Sequence, residues 1–224
     1  KKNDIFLIFY DCLKFQFDFF LLILKKKNIP SFFFIYSSVF DKKPNYLEIF
    51  RDFRYTKFKN IDVFYKEFFK LLEQKFKNKK KSFDEKFKKN YLAKYKFYSL
   101  NDRKFRFCRD KIISKKNYEE IMIDMMKSKN SDYKKKGNKL FMTIRDLKYL
   151  KLNRHLIGLH SNSHPVDIYS LSYKKQYLDY IKNFNFLKKH LSISPKSMSH
   201  PFGRYNKNSL KVLKKLGIKI GFLS

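Results

Sequence analysis

Ile5-Phe-Leu-Ile-Phe9 and Ser31-Phe-Phe-Phe-Ile-Tyr36 are short, wholly apolar runs, and residues 13–26 between them carry helical spacing that ends near Asn28-Ile29-Pro30. Strand, helix and strand within about thirty residues make a βαβ unit. Continuous rather than alternating apolarity places both strands in a parallel sheet covered on its two faces. The pattern returns after residue 139. Thr143 stands as an N-cap ahead of a helix over 143–152, and residues 155–159 read as a strand. A long amphipathic helix over 170–190, a strand or turn over 196–202, and a helix over 206–216 stopped by Gly217 follow. A last strand spans Ile218 to Leu223. The expected fold class is α/β, with strands and helices alternating as in a βα barrel.

Residues 44–138 interrupt this alternation. They are rich in lysine and aromatics, and Phe64, Phe68, Leu71 and Leu72 recur at helical spacing, as do Ile121, Met125 and Met126. The expected organisation is a first barrel part over 1–43, a helical insertion over 44–138 and a second barrel part over 139–224. Within the insertion, Lys77 to Lys89 reads as a basic connector open to disorder, its charge forming a solvated helix face in preference to a polyanion patch. The chain opens on Lys1 rather than Met and closes on an apolar strand, so it is expected to be a piece of a longer barrel, truncated at both ends.

Composition narrows the function classes. The chain has 224 residues, with Lys plus Arg 53 against Asp plus Glu 20, a formal charge of +33. Aromatics at 19% argue against disorder, and only 5 glycines and 2 cysteines exclude collagen-like and disulfide scaffolds. Of the basic residues 45 are lysine and 8 arginine, a balance that base-biased codon usage explains better than nucleic-acid recognition, which favours the arginine fork. No helix-turn-helix, zinc finger or RNA-binding signature accompanies the charge, so no specific nucleic-acid partner is expected and a basic nucleic-acid-binding module is the weakest reading. The apolar run Phe19 to Leu24 is too short to span a bilayer. Sparse cysteine fits a reducing, cytoplasmic compartment.

Chemistry concentrates in Ile157-Gly-Leu-His160-Ser-Asn-Ser-His164-Pro165. Two histidines four residues apart, just past a strand, reach one centre if the loop makes a helical turn. Asp11, directly after the first strand, is the carboxylate best placed to join them, because a βα barrel gathers the C-terminal ends of its strands on one face. Two imidazoles, a carboxylate and an open position describe a catalytic divalent metal, whereas the histidine pair alone also suits ordinary capping and packing. A second cluster, Met198-Ser-His200-Pro-Phe-Gly203-Arg-Tyr-Asn206, has the turn chemistry of a strand-to-helix loop. His155, ahead of its strand, reads as structural.

These residues resemble the NodB-homology polysaccharide deacetylases. His160-Ser-Asn-Ser-His164-Pro165 is similar to the family's His-Ser/Thr-x-x-His-Pro motif, and Pro201-Phe202-Gly203 with Tyr205 to its Pro-aromatic-Gly loop lining the substrate groove. Phe9-Tyr10-Asp11-Cys12 is similar to the opening Phe-Asp-Asp-Gly motif. The resemblance covers roughly residues 5–40 and 140–224, and the insertion is similar to that of a subgroup associated with surface-polysaccharide clusters. It implies a distorted, incomplete (β/α) barrel and a hydrolase that removes N- or O-acetyl groups from a sugar of a cell-surface polysaccharide. The metal, zinc, would be held by Asp11, His160 and His164. It would polarise the acetyl carbonyl and make hydroxide available near neutral pH. The chain departs from the pattern where proton transfer matters. The usual base position holds Tyr10, the motif's glycine is Cys12, and the arginine before the Pro-aromatic-Gly loop is Ser199. The late acid histidine has no match here, and His200 or His190 is the candidate for its role. A catalytically inactive carbohydrate-binding homologue is therefore the alternative.

Overall fold

A computed structural model of the chain describes residues 6–41 and 46–223. Ile5, the proposed boundary at 43/44 and Ser224 lie outside the described residues. The chain forms two compact units, one from residues up to 45 together with 138 onwards, the other Tyr46–Gly137.

The first unit is built on an open parallel sheet of five strands in chain order, the arrangement of an incomplete (β/α) barrel. The strands are β1 (Leu7–Phe9), β2 (Ser31–Ile35), β3 (Leu156–Leu159), β4 (Ser197–His200) and β5 (Ile220–Leu223). Helix α1 (Leu21–Lys27) links β1 to β2. In chain order α8 (Ile144–Leu152) precedes β3, α9 (Tyr173–Leu191) precedes β4 and α10 (Lys207–Lys215) precedes β5. Strand residues of one parity, Phe33, Ile35, Ile157, Leu159 and Met198, pack with Leu21, Leu24, Leu147, Leu150, Tyr180, Leu187, Val212 and Leu213 in one apolar core. Residues of the other parity, Phe32, Phe34 and Phe222, pack together with centroids 5.0–5.9 Å apart, Phe32 stacked on Phe34 and Phe222 tilted against both. This two-sided burial is what unbroken apolar runs predict.

Gly158 belongs to that second face. A Cβ there would sit 2.5 Å from Phe34 Cε1 and 2.7 Å from Ser197 Oγ. Only glycine lets the Phe34 ring lie across β3. Gly158→Ala is therefore expected to destabilise the fold by about 1–3 kcal/mol, read as a lower urea midpoint; an unchanged midpoint contradicts this packing.

Local chemistry sets the helix ends. Thr143 and Asp146 form a reciprocal capping box at the start of α8. Gly217 takes φ +74° after α10, the left-handed conformation that a terminating glycine adopts. The first helical stretch is less regular than its spacing suggests, because Gln16–Phe20 forms a π-turn before α1 begins. No described helix is long and apolar enough to cross a membrane.

The second unit contains α2 (Tyr46–Thr56), α3 (Ile61–Lys75), α4 (Lys77–Lys86), α5 (Leu100–Phe107), α6 (Lys115–Ser128) and most of α7 (Tyr133–Leu140). Its core is aromatic: Phe64, Phe68 and Phe105 are buried, and Phe105 meets the other two edge to face at 5.0–5.2 Å. The stretch expected as a basic connector is helix α4. Phe83 anchors it, buried against Phe69 at 4.9 Å, while Lys80 pairs with Asp84 on its surface.

Candidate metal centre

Strand geometry delivers the three predicted ligands to one place. β1 ends at Phe9 and the chain bends through Asp11 (φ 69°) and Cys12 (φ 57°), both left-handed. Cys12 thus holds a backbone conformation that glycine adopts without strain, at the position where the resembling motif has glycine. β3 ends at Leu159 and hands over to His160. The ligand atoms of Asp11, His160 and His164 all lie within 4.8 Å of one another. Asp11 Oδ1 is 3.4 Å from His160 Nε2 and 3.1 Å from His164 Nε2. The two Nε2 atoms are 3.1 Å apart.

The histidine pair converges by a different route from the helical turn its spacing suggested. The loop is irregular, with Ser161 at φ 65° and His164 at φ 50°, and the His164 amide donates to Ser161 Oγ at 3.0 Å. Left-handed turns at Ser161 and at His164 itself, rather than a helical turn, bring the two rings together.

Donor chemistry decides whether a cation fits. His160 Nδ1 lies 2.8 Å from the Ser199 carbonyl oxygen. A carbonyl only accepts, so Nδ1 carries a hydrogen, and Nε2 is the ring nitrogen turned toward Asp11 and His164. Asp11 Oδ1 is buried without a hydrogen bond of regular geometry. Burial works to raise the Asp11 pKa, but His160 and His164 prevail and hold the carboxyl well below the usual range. Among the described residues Asp11 forms no ion pair with lysine or arginine, in a chain of charge +33. One carboxylate oxygen and two imidazole nitrogens converging in this way are a set of donors that a divalent cation satisfies. The site is accessible from one side: the Asp11 side chain is 21% exposed, against 2% for His160.

The remaining candidates surround these three. Tyr10 stacks on Phe34 at 5.9 Å and lies 5.7 Å from the His160 ring. Burial pushes its phenol above the ordinary value, the charge of Asp11 adds to the rise, and the nearby Ser199 hydroxyl pulls the other way. β4 runs into the turn Pro201–Gly203, where Phe202 (φ 56°) and Gly203 (φ 64°) are left-handed. Pro201 is buried beneath it. Phe202 is 41% exposed with its ring 5.0 Å from His164, and Tyr205 is 44% exposed. Tyr205 stacks on the buried His200 ring at 4.5 Å. His155 packs edge-on to Phe33 at 5.4 Å, in keeping with a structural role.

Burial, assisted by the neighbouring His160, pushes His200 down to about 4. The folded state therefore binds this proton more weakly than the unfolded chain. The stability His200 contributes is complete above about 6.5 and shrinks as pH falls toward about 4, by about 3 kcal/mol in all. In metal-stripped protein, His200→Gln should flatten urea-derived stability across that window. His155, also lowered by burial, leaves a residual slope of the same sign. An undiminished slope in the variant contradicts the assignment.

Two supporting groups were not predicted: the Ser199 carbonyl and Asn183. Asn183 is fully buried on α9, donates to the Ile35 carbonyl at 3.0 Å and accepts from the His160 amide at 3.1 Å. The available signal was an amide inside the buried stripe Tyr180, Asn183, Leu187.

Residues 135–221 match the family described as polysaccharide deacetylase. No curated protein sequence matches the chain. Among solved structures, the Streptococcus pyogenes deacetylase PplD in complex with acetate is 13% identical, with a TM-score of 0.51 over 100% of this chain and 57% of its own. The BpsB deacetylase domain from Bordetella bronchiseptica is 10% identical, with a TM-score of 0.52 over 98% of this chain and 63% of its own. A de-N-acetylase from Aggregatibacter actinomycetemcomitans is 12% identical, with a TM-score of 0.54 over 100% of this chain and 64% of its own. At such identities the likeness is one of fold, and the chain spans 57–64% of the length of these structures.

Proposed function

We propose that the chain, whose residues 135–221 match the polysaccharide deacetylase family, is a metal-dependent carbohydrate deacetylase homologue whose hydrolysis is slowed by Tyr10. Its substrate class is an N- or O-acetylated sugar of a surface polysaccharide. The observation that carries the reading is the convergence of Asp11, His160 and His164, with the His160 tautomer set by Ser199.

Asp11 Oδ1 and the two Nε2 atoms would hold the ion, and zinc suits this borderline set of two imidazoles and one carboxylate. Bound there, it supplies Lewis acidity toward an acetyl carbonyl and lowers the pKa of water at the site. The chain's own residues do the rest. Phe202 and Tyr205 offer exposed aromatic faces on which a sugar ring stacks. The Ser199 carbonyl fixes the His160 ring, and buried His200, neutral at pH 7, supports Tyr205 rather than donating a proton. Tyr10 occupies the base position with its proton held more tightly than in free tyrosine, which makes it a poor acceptor at neutral pH.

The test is acetate release from an N-acetylated sugar polymer by metal-stripped and zinc-reloaded protein. Slow release that requires the metal supports the proposal. Stoichiometric zinc binding with no release overturns it in favour of a binding-only homologue, the reading that the raised Tyr10 pKa favours.

A further inference from the structure

We propose that Asp179, near the start of α9, is the positioning residue of the metal-binding loop, holding His160 and His164 where they take up the ion. This inference rests on the metal reading above.

Between the two histidines the chain passes through Ser161, Asn162 and Ser163, with Ser161 and His164 in the left-handed region at φ 65° and 50°. A side chain with a Cβ resists that region, so the loop needs an external grip to stay in it. Asp179 supplies the grip. Its Oδ1 accepts the Asn162 amide at 2.7 Å and the Ser163 amide at 3.1 Å. Its Oδ2 accepts the Ser163 amide at 3.2 Å and the Ser163 hydroxyl at 2.7 Å. One carboxylate thus gathers consecutive donors from the residues lying between the ligands, and bonds to an ionised acceptor are the stronger kind.

One helical turn further, on the same face of α9, Asn183 ties the His160 amide to the end of β2. From the opposite side Ser37 Oγ donates to Asn162 Oδ1 at 2.9 Å, and the Ser38 amide donates to the Asn162 carbonyl at 3.0 Å. The loop is held from both sides, and Asp179 is the charged member of that clamp. It is also the last acidic residue in the sequence, and among the described residues it forms no ion pair, although lysines precede and follow it on α9. Its charge goes to the loop backbone and not to surface pairing.

The experiment titrates Co²⁺ into the metal-stripped full chain and follows the visible absorption bands, with the melting temperature of the stripped protein as a parallel readout. Asp179→Ala is expected to weaken Co²⁺ binding by about 10–100-fold, the loss typical when a ligand's support is removed. Asp179→Asn, which keeps one acceptor oxygen, should lose less, and Ser163→Ala, which removes a single hydrogen bond, only a few-fold. A merely structural role lowers the melting temperature and leaves the affinity of the folded protein unchanged. Affinity within about twofold of wild type in Asp179→Ala therefore overturns the proposal. Should Asp179→Ala fail to fold, Asp179→Asn and Ser163→Ala decide: graded losses support the clamp, and wild-type affinity in both overturns it. A wild-type chain that takes up no Co²⁺ sinks the metal reading itself and this inference with it.

Discussion

Tyr10→Asp is expected to raise acetate release from an N-acetylated sugar polymer by about 10²–10⁴-fold at pH 7, the range a positioned general base contributes. Tyr10 precedes Asp11 at the end of β1, and its ring lies 5.7 Å from that of His160. Its phenol is pushed up by burial and by the Asp11 charge, so it keeps its proton at neutral pH. A carboxylate in its place feels the same burial and the same neighbouring charge. Both raise a carboxyl pKa from its low ordinary value toward neutrality, where a base works best. The perturbation that disables a tyrosine thus tunes an aspartate. Tyr10→Phe serves as the control: if the phenol takes no proton, removing its hydroxyl leaves the slow rate where it was. Metal affinity should hold in both variants, because neither removes a ligand. No gain from Tyr10→Asp with zinc bound would show that something other than the base limits hydrolysis.

Asp11→Asn and His164→Asn are each expected to weaken zinc binding by more than about 100-fold, beyond the loss from a supporting residue. Asparagine is chosen because both positions are left-handed, at φ 69° and 50°, and asparagine tolerates that region better than alanine. The substitutions therefore remove a ligand without forcing the backbone. Asp11→Asn also removes the only charge in the ligand set. Calorimetric titration gives the affinity, and melting of the stripped protein shows whether folding has changed. Wild-type affinity in either variant means that the ion, if one binds, sits elsewhere.

The sheet was legible where burial is continuous. The β1 and β2 runs are apolar at successive positions because helices cover one face and stacked phenylalanines the other. Thr143 with Asp146, and Gly217 after α10, marked helix ends through local chemistry that needs no tertiary context. The three proposed ligands could be named because barrel topology brings strand ends together however far apart they lie in sequence. What stayed hidden was the loop's route between the histidines. Two left-handed non-glycine residues carry no local signal, since the clamp that stabilises them comes from α9 and from Ser37 and Ser38. Asp179 and Asn183 sit on a helix whose pattern reads as plain amphipathicity. For α4 the solvated helix face was legible, but not its anchor: Phe83 packs on Phe69, a contact that lysine-rich composition does not advertise.

Anomalous diffraction at the zinc edge, on crystals of zinc-loaded protein, tests the central claim most directly. The account predicts one peak per chain, about 2.0–2.2 Å from Asp11 Oδ1 and from both Nε2 atoms of His160 and His164. A peak coordinated by other residues, or none at these three while the rings keep their present positions, would contradict it.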